Sequence, residues 1–182
     1  MTPKSICKHL APYSIYSKRK TTIAHAFASA LAPTSRYDAK RVEDALLALG
    51  QNNLKALICV YCGKLATGWD HLENLVRNGQ LSGYGHQLGN LVPACGECNS
   101  KKGRKPFKEF VESSVQISQA DKALLIERLE NHLRQANPIS TQQLDDEGKA
   151  AFQRFQEIQK AILNLMVEAD NYAEIVRSRF HA

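Results

Sequence analysis

The sequence predicts an α+β protein: a small core of two short extended segments and one helix, set between mainly helical N- and C-terminal extensions. Three observations carry that reading. Two C-x-x-C pairs, Cys59-Val60-Tyr61-Cys62 and Cys95-Gly96-Glu97-Cys98, frame the middle of the chain. The stretch from Leu57 to Lys105 breaks into short pieces punctuated by glycine, and on either side of it apolar residues recur at helical spacing. The boundaries that follow are 1–55, 56–105 and 106–182.

Residues 1–34 are mixed, with a basic cluster at Lys18-Arg19-Lys20, prolines at Pro3, Pro12 and Pro33, and an alanine-rich stretch from Thr22 to Leu31 that predicts a short helix. Ser35 and Asp38 have the spacing of a capping box. Val42, Ala45, Leu46 and Leu49 then repeat on one helical face until Gly50 supplies a stop. The core follows as a knuckle, an extended segment around Trp69 to Leu72, a Gly- and Asn-rich loop, a second extended segment Asn90-Leu91-Val92-Pro93, and a polar helix from Cys95 or Gly96. Trp69 is expected to pack under the hairpin, and His86 in Gly83-Tyr84-Gly85-His86-Gln87 either orients a phosphate or a water or, as the favoured reading, decorates an exposed glycine-rich loop.

Downstream, Phe107, Phe110 and Val111 predict a helical turn, and Ser118 with Asp121 caps a helix carrying Leu125, Leu129 and Leu133 as far as Pro138. The last helix is the longest. Phe155, Ile158, Ile162, Leu165, Ala169, Tyr172 and Val176 step alternately by three and four, a heptad seam. Such a seam serves a homodimer through the C-terminal helix, here residues 150–178, or a hairpin with the Leu125–Leu133 helix of the same chain.

The chain has 182 residues, 43% of them hydrophobic, enough for one ordinary domain or a metal-pinned module with helical additions. Its formal charge of +6 favours a polyanionic partner. Four zinc-bound thiolates and one Zn²⁺ would shift that sum to about +4. No apolar stretch of signal-peptide length follows the first lysines, and no window approaches the roughly 18 apolar residues of a membrane span. A soluble protein of the reducing cytosol is expected, where thiolates hold zinc rather than form disulfides.

Two matching C-x-x-C pairs let thiolates from two tight turns converge on one tetrahedral zinc, so Cys59, Cys62, Cys95 and Cys98 are the expected ligands. Cys7 lies far off without a partner in the pattern. Between and just beyond the knuckles stand Asp70-His71, Asn90 and Asn99, an acid, a base and amide groups in one stretch. Asn99 falls on the first turn of a zinc-anchored helix, where its amide oxygen can serve as a hard ligand. Lys101, Lys102, Arg104 and Lys105 follow at once; such a run is often a solvated face, but its position beside this stretch favours contact with the phosphates of a nucleic-acid backbone.

The segment Trp69-Asp70-His71-Leu72, Gly89-Asn90-Leu91-Val92-Pro93 and Cys95 to Gly103 resembles the HNH, or ββα-metal, nucleases. The resemblance covers about 45 residues, from Cys59 to Gly103, and leaves both flanks unmatched. It implies a metal-dependent endonuclease acting on double-stranded DNA and leaving 5′-phosphate ends; the compact chain with its basic and helical flanks adds the expectation of a restriction-type or phage-defence setting in a bacterium or phage. It also implies Asp70 as metal-binding acid, His71 as general base, Asn90 as the Asn that braces the loop after the first strand, and Asn99 as helix ligand. The family's last position is often His; an Asp and Asn pair favours Mg²⁺ or Mn²⁺. A zinc-ribbon module that binds DNA without cutting, or a nuclease of RNA or branched substrates, are the alternatives.

Overall fold

The structure, a computed structural model, describes residues 3–77, 80–115 and 117–180. The chain divides into two units, residues 1–27 with 141–182, and Ala28–Ser140. The elements begin with a 3₁₀ turn at Pro3–Ile6 and a single helical turn, α1 (Cys7–Leu10). They continue through α2 (Ile15–Leu31), α3 (Ala39–Ala48), β1 (Gly68–His71), β2 (Val76–Arg77), β3 (Gln80–Leu81), β4 (Leu91–Ala94), α4 (Gly96–Lys102), α5 (Phe107–Ser113), α6 (Gln119–Leu133) and α7 (Asp146–Phe180).

In the unit from Ala28 to Ser140, α3 starts at Asp38, whose carboxylate accepts the Arg41 N–H at 2.8 Å. Asp38 is therefore the N-cap itself. The Ser35 hydroxyl, expected to share in a capping box, accepts the Leu88 N–H at 3.1 Å instead. Further on, β1 pairs antiparallel with β4, with Trp69 opposite Pro93, Asp70 opposite Val92 and His71 opposite Leu91. Side chains alternate along a strand, so the inward place on β1 goes to Asp70, and Trp69 turns outward with 48% of its surface exposed. Trp69 thus does not lie under the hairpin as expected.

A second ribbon, β2 with β3, sets Val76 opposite Leu81, and these pack with Leu75 onto Ala28 and Ala32. The main core of this unit gathers Leu46 of α3 and Leu49 at its C-cap, Tyr61, Leu72, Val92, Phe107, Phe110 and Val111 of α5, and Leu129 of α6 around the knuckle cysteines. Phe110 meets the Tyr61 ring edge-on at 5.1 Å between centroids. Each large apolar side chain buried this way contributes about 1.5–3 kcal/mol, so the helices on either side of the hairpin stabilise the knuckles directly. As expected, Ser118 caps α6, its hydroxyl accepting the Asp121 N–H at 3.2 Å.

In the other unit, α2 and α7 run antiparallel. Phe27 meets Phe155 at 4.8 Å between ring centroids, and the Asp170 carboxylate accepts from the Ser14 hydroxyl and from the Ile15 and Tyr16 N–H groups at the start of α2. The heptad seam is therefore occupied within the chain at Phe155, whereas Ile158, Leu165, Tyr172 and Val176 are exposed. No helix among the described residues is long and apolar enough to cross a membrane.

Candidate active site

Cys59, Cys62, Cys95 and Cys98 bring their Sγ atoms within 4.8 Å of one another, and none of them forms a disulfide. The Cys62 and Cys95 Sγ atoms lie 3.7 Å apart. A tetrahedron with Zn–S of about 2.3 Å has an edge of about 3.8 Å, so the four thiols fit one zinc ion. The first knuckle is held by Cys59 N–H donating to Lys64 O at 2.7 Å and Val60 N–H to Pro93 O at 3.0 Å. The second opens α4, with Gly96 N–H donating to Thr67 Oγ1 at 3.0 Å. Cys98 N–H donates to Cys95 Sγ and brings the Cys95 thiol down to about 7, while burial pushes the Cys59 and Cys98 thiols up. Cys95, the N-cap of α4, is thus a readier thiolate than Cys59 or Cys98.

Asp70 lies one strand position before His71 and faces the opposite way, into the core with 5% of its surface exposed. Tyr61 Oη donates to its Oδ2 at 2.7 Å, and Lys102 Nζ lies 3.3 Å from Oδ1. Lys102 Nζ also donates to the His71 carbonyl oxygen at 2.7 Å. Burial, with the Asp70 charge beside it, holds the Tyr61 hydroxyl well above its ordinary value, so it stays a donor. Lys102 is 1% exposed, and its ammonium cannot meet a phosphate. It is a strut between α4 and β1 rather than the DNA contact expected from the basic run.

His71 is half-buried, with Nε2 lying 3.0 Å from Nδ1 of His86. Burial, helped by the neighbouring His86, lowers its pKa from the ordinary imidazole range, so the ring is neutral at pH 7. Asn90 is fully buried and works on both sides of this pair. Its Oδ1 accepts the Glu73 N–H at 2.8 Å, and its Nδ2 donates to Glu73 O and Gly85 O, each at 3.0 Å. The segment after His71 and the segment before His86 are thereby fastened to one amide.

Asn99 is exposed on α4, one turn ahead of Lys102. The expected oxygen pair for a catalytic cation is not laid out as an open site, because the Asp70 carboxylate is enclosed by Tyr61 and Lys102. Lys101, Arg104 and Lys105 are exposed, with Lys101 Nζ 2.7 Å from Glu97 Oε1. Three residues that matter to this geometry escape a motif reading: Tyr61, inside the first knuckle; His86; and the inward Lys102. Helical spacing does carry a signal for the last, since Cys95, Cys98 and Lys102 step by three and four along one face.

No curated protein and no solved structure matches the chain. A family model does, that of the HNH endonuclease, over residues 59–105. That span runs from the first knuckle through both strands of the hairpin to the end of the α4 turn. Residues 59–105 of this chain thus match an HNH endonuclease domain, and four cysteines within them are placed to bind a metal ion.

Proposed function

We propose that this protein is a metal-dependent DNA endonuclease that hydrolyses phosphodiester bonds to 5′-phosphate ends, with His71 as general base. The observation that carries the reading is the placement of His71 within the matched domain. Its half-buried neutral ring stands at the end of β1, its backbone held by Lys102 and the following segment by Asn90. A neutral imidazole so fixed can take a proton from a water attacking phosphorus. A divalent cation such as Mg²⁺ or Mn²⁺ would supply positive charge at the phosphate; Asn99 is the candidate donor on α4, and Asp70 acts through Lys102 and Tyr61 instead. Lys101, Arg104 and Lys105 are the candidate phosphate contacts.

Cleavage of supercoiled plasmid by the wild-type chain and by His71→Ala, with Mg²⁺, with Mn²⁺ and with EDTA, tests this. Metal-dependent cutting lost in a folded His71→Ala protein that still binds DNA supports the reading. Unchanged cutting by the variant overturns it, and DNA binding without any cutting replaces it with the zinc-ribbon module. The restriction-type or phage-defence setting is tested by phage plating on cells that carry the gene. Because a double-strand break needs two cores or two nicks, the exposed Leu165, Tyr172 and Val176 of α7 are the proposed contact for a second copy. A monomeric mass in light scattering at micromolar concentration removes that part.

A further inference from the structure

We propose that His86 is a positioning residue for His71, holding its ring in the tautomer that leaves the Nδ1 lone pair free to take a proton. The inference rests on the reading of His71 as base and adds a residue outside its motif. With His71 Nε2 and His86 Nδ1 3.0 Å apart, one proton lies between them, and each neutral ring carries a single N–H. If His86 donates, the proton of His71 sits on Nδ1 and Nε2 is occupied as acceptor, so the ring has no lone pair left for water. If His71 donates from Nε2, its Nδ1 lone pair is free. Only the second arrangement lets His71 act as base.

Proton bookkeeping then closes. The water O–H breaks as the Nδ1–H bond of His71 forms, the hydroxide oxygen bonds to phosphorus, and the P–O3′ bond breaks with the 3′-oxygen taking a proton from solvent. The His71 imidazolium keeps its Nε2–H on the Nδ1 lone pair of His86, in a hydrogen bond now strengthened by charge.

A residue decorating a free loop would not be held where His86 is held. Its carbonyl oxygen accepts the Ser35 N–H at 3.2 Å, and Gln87 Nε2 donates to Asn137 O at 2.9 Å. Gly85 approaches Pro33 so closely that a Cβ there would lie 2.1 Å from Pro33 O, and Gly83, at φ +91°, would put one 2.4 Å from Ile139 O. The glycines of this loop are close-approach positions that clamp it to the segments around Pro33 and Ile139. The imidazole is thus presented to His71 by backbone fixed on both sides.

The test uses the zinc-loaded full chain and two variants, His86→Ala and His86→Asn, the latter keeping an acceptor near the Nδ1 position. Nitrogen-15 spectra of the histidine side chains should show His71 as the Nε2–H tautomer in the wild type and in His86→Asn, and as a mixture in His86→Ala. Plasmid cleavage should fall about 10–100-fold in His86→Ala with DNA affinity unchanged, and return in large part in His86→Asn. A wild-type His71 protonated on Nδ1 overturns the proposal, as does a tautomer and cleavage rate indifferent to His86→Ala. A wild-type chain that never cuts would sink the nuclease reading, while the tautomer still decides the pairing of the two rings.

Discussion

Lys102 Nζ lies 2.7 Å from the carbonyl oxygen of His71, a bond between the last turn of α4 and the end of β1. The same ammonium faces Asp70, and both side chains are buried. Removing one partner of such a pair strands the other charge and costs about 3–5 kcal/mol, whereas replacing both with apolar groups is far milder. Lys102→Met should therefore lower stability in urea by about 3–5 kcal/mol. The double variant with Asp70→Leu should regain much of that loss. A single variant as mild as a surface substitution would show that the strut carries no weight.

Metal removal should act on the whole unit from Ala28 to Ser140, because the four thiols sit inside its hydrophobic core. Structural zinc supplies about 10–16 kcal/mol of apparent binding energy in small modules, and that energy is folding energy. Cys98→Ser, or chelation of the wild type, should abolish its cooperative thermal transition. Exposed Cys7→Ser should leave the transition in place.

The basic run should divide when DNA affinity is measured against salt. Arg104→Ala and Lys105→Ala should each flatten the slope of log K against log salt by about 1, as expected for the loss of a phosphate contact. Lys101→Ala should do the same, less whatever its ion pair with Glu97 already withholds. An unchanged slope in all three would place the duplex elsewhere.

A second histidine sets a pH dependence of stability. His132 donates from Nε2 to Leu91 O at 3.0 Å, and burial lowers its pKa, against the carbonyl bonds from Leu91 and Leu88 that raise it. Its folded value lies below its unfolded value of about 6.5, so the unfolded chain takes up the proton first as pH falls. Stability should be full above about pH 6.5 and decline below it, levelling off once pH has passed the folded value. His71 shifts in the same direction. His132→Gln should flatten part of the decline in urea midpoint between pH 7 and pH 5.

What could be read in the sequence was whatever depends on spacing along the chain. The zinc ligands follow from two repeats of C-x-x-C, and α6 from Ser118 with the apolar residues behind it. The extended segments fall within one residue of β1 and β4, because short runs flanked by glycine have few other ways to fold. Orientation across the fold was harder. Lys102 reads with its basic neighbours along the chain, whereas the helix turns it 100° from Lys101 and onto the cysteine face. A lone histidine among glycines does not announce its place, because the contact of Gly85 with Pro33 depends on a pairing some fifty residues away along the chain. Asp70 read as an open ligand; nothing in the motif announces that Tyr61, nine residues earlier, closes over it.

The short helix α4 holds Cys98, has Cys95 at its N-cap and carries on the same face Lys102, which holds the His71 carbonyl, so the four-cysteine cluster and the alignment of the His71 ring share one part. If His71 is the base proposed above, a chain without its metal would lack the aligned ring and would not cut. Zinc supply would then act as a licence for cutting, withdrawn by whatever strips the thiols.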